Sequence, residues 1–158
     1  MDFVHDQLAT GRKIRVLTVV DTFSRFSPIV DPRFNYRAED VVAMLEATCS
    51  VVGYPQAIRV DQGSEFISRD LDLWAYANNV TLDFSRPGKP TDNAFIEAFN
   101  GRFRAECLNA HWFLTLADAR EKLEAWRRYY NEERPHGAIG NKVPISLQNS
   151  DGVTSPSP

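Results

Sequence analysis

Between residues 38 and 84 the hydrophobic period switches repeatedly between helical and extended, and this constrains the fold more than any other feature. Val41, Val42, Leu45, Cys49 and Val52 recur at helical spacing over Ala38–Val52. Glu39 and Asp40 lie in the positive first turn of that helix, and Gly53 with Pro55 ends it. Ala57–Val60 is a short apolar strand. Ser64–Asn78 reads as a second helix with Phe66, Leu73, Trp74 and Ala77 inward, and Val80–Phe84 as a further strand. Upstream, Phe3–Gln7 and Ile14–Val20 form a hairpin through Leu8–Lys13, with Gly11 as the turn residue. Phe26–Val30 is a third strand after a turn around Asp21–Ser24. A meander followed by strands alternating with helices predicts an α/β fold, a mixed five-stranded sheet flanked by helices.

Downstream, Pro87, Gly88 and Pro90 break the chain into a loop. Asp92 is expected to cap a helix running to about Leu108. Thr115 and Asp118 open a last helix, to Asn131, in a capping-box arrangement. These elements define one domain over residues 1–147. Residues 148–158, rich in Ser, Pro and Gly, are expected to be a disordered tail. The opening residues Met1–Val4 are already strand-like, so the chain reads as a piece of a longer protein.

The chain has 158 residues, 43% hydrophobic and 25% charged, which is enough for one domain with a real core. No apolar run suits a membrane span or a signal peptide. Cys49 and Cys107 each sit in a helical pattern and read as reduced core residues, which fits a cytoplasmic protein. The three histidines, His5, His111 and His136, are well separated, so no zinc pattern can be drawn. A net charge of −3 argues against strong non-specific nucleic-acid binding. It is compatible with carboxylates clustered around metal ions.

Three acids stand out. Asp61 ends the Ala57–Val60 strand, where ligands of parallel sheets gather. A turn aspartate is the plainer alternative there. Asp2 lies in the first strand, and Glu97 follows the Pro/Gly loop, with thirty-five residues between Asp61 and Glu97. That spacing carries little weight alone. If the first and fourth strands are neighbours, Asp2 and Asp61 approach across the sheet, and the helix brings Glu97 over the same edge. Carboxylates about 4 Å apart repel by about 4 kcal/mol at an effective dielectric of about 20. Such a site needs protons or cations. An all-oxygen donor set suits Mg²⁺ or Mn²⁺, and two such ions can serve the two sides of a phosphate. On the helical wheel, Glu97 falls about 140° from the centre of the apolar arc of Phe95, Ile96, Phe99, Phe103 and Cys107, so a solvated glutamate is the competing reading.

The segments "MDF", "VVDTFSR", "DQGSEF", "RPGKPTDNAFIEAFNGRFRAECLN" and "YYNEERPHGAIGNKVP" occur together in this order. With them the chain resembles the catalytic core of insertion-sequence transposases related to retroviral integrases, over nearly all of residues 1–147. The resemblance implies a ribonuclease-H-like fold and a catalytic, metal-binding triad matched by Asp2, Asp61 and Glu97. It implies metal-dependent cleavage and transfer of DNA ends, in a homo-oligomer, in the bacterial cytoplasm and on the nucleoid when DNA is bound. It gives Asp21 a structural place beside Ser24 and Arg25. The chain departs from the family at Gln62, where asparagine is common. The tryptophan expected before the first aspartate and the upstream DNA-recognition domain would lie ahead of Met1.

Arg86 and Lys89, beside the loop before Glu97, either grip a phosphate or are solvated. The same two readings hold for Arg102 and Arg104. Trp126, Tyr129 and Tyr130 read as helix packing rather than base stacking. His5 alternates to the face opposite Asp2. Two other functions compete with strand transfer: a nuclease of the same fold, and a catalytically silent DNA-binding or assembly domain.

Overall fold

Gly11, with φ of +91°, closes the turn between β1 (Asp2–Gln7) and β2 (Lys13–Val19), and the Leu8 N–H donates to the Arg12 carbonyl at 2.8 Å. The two strands are antiparallel, with Asp2 opposite Thr18 and Gln7 opposite Lys13. β3 (Ile29–Arg33) pairs with the other edge of β2, starting at Ile29 opposite Val19. This computed structural model describes residues 1–149.

The third strand thus begins three residues later than its apolar run suggests. Pro28 has no N–H to give. The Ser27 N–H donates to Asn131 Oδ1 at 2.8 Å, and the Ser27 hydroxyl donates to the Val19 carbonyl at 2.7 Å, so these groups are taken before the ladder starts. Pro32 is tolerated because β3 lies at the edge of its sheet.

α1 (Ala38–Val52) and β4 (Ala57–Val60) have the expected bounds. α2 is shorter than its pattern: it runs Arg69–Ala77, because Ser68 caps it by accepting the Leu71 N–H at 3.1 Å. Its buried side is Leu71, Trp74 and Ala75; Leu73 is 55% exposed, contrary to expectation. β5 (Thr81–Phe84) then lies parallel to β4.

The single five-stranded sheet is not formed as a continuous ladder. Hydrogen bonding gives an antiparallel three-stranded sheet, β1-β2-β3, and a parallel pair, β4-β5. On the free edge of β1, groups that would reach a neighbouring strand bond to side chains. The Phe3 N–H donates to Asp2 Oδ1 and the Gln7 N–H to Asp6 Oδ1, both at 2.8 Å, while the His5 carbonyl accepts from Arg104 at 2.9 Å. One bond crosses to β4, from the Met1 α-amino group to the Arg59 carbonyl at 3.0 Å. Beside it lies a cavity of about 410 Å³ lined by Met1, Val19 of β2 and Ala57 and Ile58 of β4.

Helices cover both faces. α1 and α2 bury Val41, Leu45, Cys49, Leu71 and Trp74 against Leu17, Ile29, Ile58 and Val60. α3 (Ala94–Glu106) and α4 (Leu116–Glu132) bury Phe99, Phe103, Leu123, Trp126 and Tyr130 against Val4, Ile14, Val16 and Val30. The expected cap of α4 is present: Thr115 Oγ1 accepts the Asp118 N–H at 3.0 Å. A short α5 (Pro144–Asn149) follows, so the expected tail starts inside a helix, and from residue 150 onward it lies outside the described residues. Both cysteines are free and buried; burial pushes the Cys49 thiol up to about 11 and the Cys107 thiol up to about 12. Among the described residues no helix is long and apolar enough to cross a membrane.

Candidate active site

Alternation along β1 turns Asp2 and Val4 toward α3. Val4 joins the cluster around Phe99, and Asp2 Oδ2 accepts from Asn100 Nδ2 at 3.1 Å. The other oxygen of Asp2 accepts its neighbour's N–H, from Phe3 at 2.8 Å. Asn100 Oδ1 in turn accepts from the fully buried Thr18 hydroxyl at 2.9 Å. A carboxylate only accepts, so this chain fixes the Asn100 amide with its nitrogen toward Asp2.

Asp61 stands one residue beyond β4, at its carboxyl end. Its Oδ1 accepts the Gly63 N–H at 2.8 Å. The loop is anchored by Phe66, 1% exposed and stacked on Phe3 with ring centroids 5.1 Å apart. Arg15, whose guanidinium lies 4.1 Å from the Phe3 ring centroid, holds Glu65 at 3.1 Å. The residues flanking Asp61 are thus tied to the residue that follows Asp2. A Cβ on Gly63 would lie 3.0 Å from Asp61 Oδ1, tighter than nine in ten real Cβ contacts, so the carboxylate must give way. Gly63→Ala is therefore expected to displace the Asp61 carboxylate and weaken Mn²⁺ binding about tenfold, read by titration calorimetry, with an unchanged circular dichroism spectrum.

Glu97 lies in the first turn of α3 and is exposed. The wheel alone suggested bulk solvent. Its neighbours on that flank face β1: Asn100 reaches Asp2, and Arg104 donates to the His5 carbonyl at 2.9 Å. The row Glu97–Asn100–Arg104 therefore runs along β1. Asp2 feels all three parts of the arrangement. Burial raises its carboxyl above the usual range, the Phe3 N–H opposes this, and the charges of Asp61 and Glu97 raise it further. Burial also pushes the Met1 α-amino group down to about 6, against the charges of Asp2 and Asp61.

A raised carboxyl means that the folded state binds the Asp2 proton more tightly than the unfolded state does. The cost of the charged form is present above the folded pKa and is relieved as pH falls through it. In Asp2→Asn the Asn100 amide must turn, so that its oxygen accepts from the new amide, its nitrogen donates to Thr18, and the Thr18 hydroxyl donates to the residue-2 carbonyl, already 3.3 Å away. With that turn the substitution is expected to raise the melting temperature at pH 7 by a few degrees, about 2–4 °C per kcal/mol relieved. The gain should shrink toward about pH 4, the carboxylate range. Thermal melts of both proteins at the two pH values check this.

Among the described residues no three Asp, Glu, His or Cys side chains already converge as a metal cage. The donor chemistry nevertheless suits a hard cation. Asp61 Oδ2 and the Glu97 carboxylate have no protein donor among the described residues, and every candidate ligand is an oxygen.

The basic residues divide differently from the expectation. Arg86 is committed to Asp92, with Nε–Oδ2 and Nη2–Oδ1 both at 3.0 Å. Asp92 does not cap α3; bonds from the Arg86 side chain and N–H hold its carboxyl well below the usual range, and it closes the 86–92 loop instead. Lys89 is exposed, and its ammonium has no partner among the described residues. Arg102 and Arg104 do not act together, because they fall on opposite flanks of the buried stripe of α3. Trp126 and Tyr130 are core residues, but Tyr129 is 44% exposed. His5 is exposed on the face away from α3. Asp21 builds the turn after β2, accepting from the Ser24 N–H at 3.1 Å. Asn100, Thr18 and Gly63 were not singled out by sequence; Asn100, one turn beyond Glu97, was the one a helical spacing could have found.

Helices on both faces of β1–β5, with an acid at the end of a parallel strand and another on the facing helix, make a ribonuclease-H-like α/β core. The chain belongs to the integrase core domain family, whose sequence models match residues 1–90 and 78–144. It is 48% identical over 158 residues to a 31.7 kDa protein of insertion element IS407 of Burkholderia multivorans, covering 57% of that protein. It is 46% identical over 147 residues to a 39.2 kDa protein of insertion element IS476 of Xanthomonas euvesicatoria, covering 93% of this chain and 42% of the relative. The chain thus spans about half the length of these relatives. A transposase for insertion sequence element IS904 of Lactococcus lactis is 31% identical over 134 residues, 82% of this chain and 52% of the relative. Among solved structures, the fold matches a chain of the simian T-cell lymphotropic virus intasome with a TM-score of 0.79 at 17% identity, over 94% of this chain and 52% of that one. It matches the HTLV-2 integrase catalytic core in complex with magnesium with a TM-score of 0.70 at 17% identity, over 92% and 91%.

Proposed function

We propose that this chain is the catalytic core of an insertion-sequence transposase, a polynucleotidyl transferase that cleaves DNA ends and joins them to a target. The observation that carries the reading is Asp2: Asn100 holds it, and it lies in the field of both Asp61 and Glu97. Asp2 and Asp61 would hold Mg²⁺ or Mn²⁺ with Glu97 completing the set, and two such ions when bound would activate the attacking oxygen and stabilise the leaving one. The Asn100–Thr18 chain keeps the Asp2 carboxylate oriented, and the Gly63 N–H does the same for Asp61. Arg104 and Lys89 supply positive charge near a phosphate. The two ladders are read as one sheet in the order β3-β2-β1-β4-β5, supported by the Met1–Arg59 bond. Supply of an upstream DNA-recognition region and assembly as an oligomer belong to the same reading, as does action on DNA in the bacterial cytoplasm.

The test is a labelled DNA end incubated with the chain, Mn²⁺ and unlabelled target DNA. Joining of the label to the target is the expected result. Release without joining would replace transferase with nuclease. Neither product, with metal bound, would leave an assembly domain.

A further inference from the structure

Besides the row facing β1, α3 carries a second polar row. At about 100° per residue, Phe95, Arg102 and Glu106 fall within about 40° of one another, on the far side of the buried stripe from Glu97 and Asn100. Each position brings up a guanidinium. Arg25 lies over the Phe95 ring at 4.5 Å, Arg102 is itself the second, and Arg134 grips Glu106 through Nε at 3.0 Å and Nη2 at 2.7 Å. All three act on one point, since the charges of Arg102, Arg134 and Arg25 all reach the Tyr130 hydroxyl. Glu106 neutralises Arg134. Arg25 and Arg102 have no carboxylate partner among the described residues, in a chain whose net charge is −3.

Arg25 is also built into place. Its φ is +65°, a conformation few non-glycine residues adopt, and its N–H donates to the Asp21 carbonyl at 2.9 Å. The Asp21 carboxylate secures the turn by accepting from the Phe23 and Ser24 N–H groups. The turn sets the guanidinium over Phe95, two residues from Glu97.

We propose that Arg25 and Arg102, backed by Arg134, form a phosphodiester-binding row on the flank of α3 opposite the three acids. The ligand is a nucleic-acid backbone. Phe95 and Arg102 are seven residues apart, a rise of about 10 Å. That matches the rise of about three nucleotides of one strand, at 3.4 Å per charge. Guanidinium forks suit phosphate oxygens, and no base-reading group is required. The proposal rests on the DNA reading given above, and its test separates the two.

The test is fluorescence anisotropy with a short labelled duplex, titrated between about 50 and 200 mM salt. Arg25→Gln and Arg102→Gln should each lower the slope of log affinity against log salt by about 0.9, the value for one phosphate contact. Arg102→Lys should keep the slope, and Arg37→Gln, at the exposed N-cap of α1, should leave it unchanged. In parallel, inorganic phosphate should raise the melting temperature of the wild type more than that of the double glutamine variant. If duplex binding is present but its slope is the same in every variant, the row is overturned and the DNA reading stands. If no duplex binds, the row is overturned together with the DNA reading, and any arginine-dependent effect of phosphate is that of an adventitious ion only. If neither ligand responds to the arginines, the row is overturned.

Discussion

Asp61→Asn abolishes joining of a labelled DNA end and leaves the fold intact: this is the largest functional effect expected. The amide preserves size and can still accept the Gly63 N–H through its oxygen, so the loop from Asp61 to Phe66 keeps its geometry. The charge that attracts a divalent cation is lost, and with it one oxygen ligand. A fall of at least about 1000-fold is expected, about 4 kcal/mol at 1.36 kcal/mol per factor of ten. A strand-transfer time course beside a thermal melt checks both halves. Activity within about tenfold of the wild type would remove Asp61 from the site.

The largest stability effect is expected at Phe99. Its ring is 1% exposed and meets Tyr130 edge-on at 4.9 Å and Trp126 at 5.6 Å. It also sits on α3 between Glu97 and Asn100 on one flank and Arg102 on the other, so the same side chain seats both polar rows. Phe99→Ala removes a buried aromatic and leaves a cavity that the rigid rings around it fill poorly. The expected cost is about 3–5 kcal/mol, measured by urea unfolding. Weaker Mn²⁺ binding should accompany it, because α3 would no longer hold Asn100 against Asp2. A loss below about 1 kcal/mol would mean that α3 is seated by other contacts.

Much of this was legible in the residues. α1 and β4 have bounds set by local signals: acids in the first turn, Gly53 and Pro55 after the last, and a four-residue apolar run. The three acids could be chosen because β4 ends at a carboxylate and the Pro/Gly loop delivers a helix beside it. What was not legible depends on long-range partners. The start of β3 is set by Asn131, one hundred and four residues from Ser27. Asp92 reads as a helix cap, yet Arg86 and Arg59 outcompete the α3 N-terminus for it. Glu97 is exposed, as the wheel suggests, but a wheel does not show that the same flank carries Asn100 to Asp2. Arg102 and Arg104, two apart in sequence, were natural to group, but a helix sends such residues to different sides.

Asp2, Asp61 and Glu97 are proposed to hold a divalent cation together. The most direct measurement is an anomalous difference map from a crystal of this chain grown with MnCl₂. A peak between the Asp2 and Asp61 carboxylates, with Glu97 turned toward it, is the predicted result. A well-ordered crystal with no peak there, or with manganese bound only elsewhere on the chain, would contradict it.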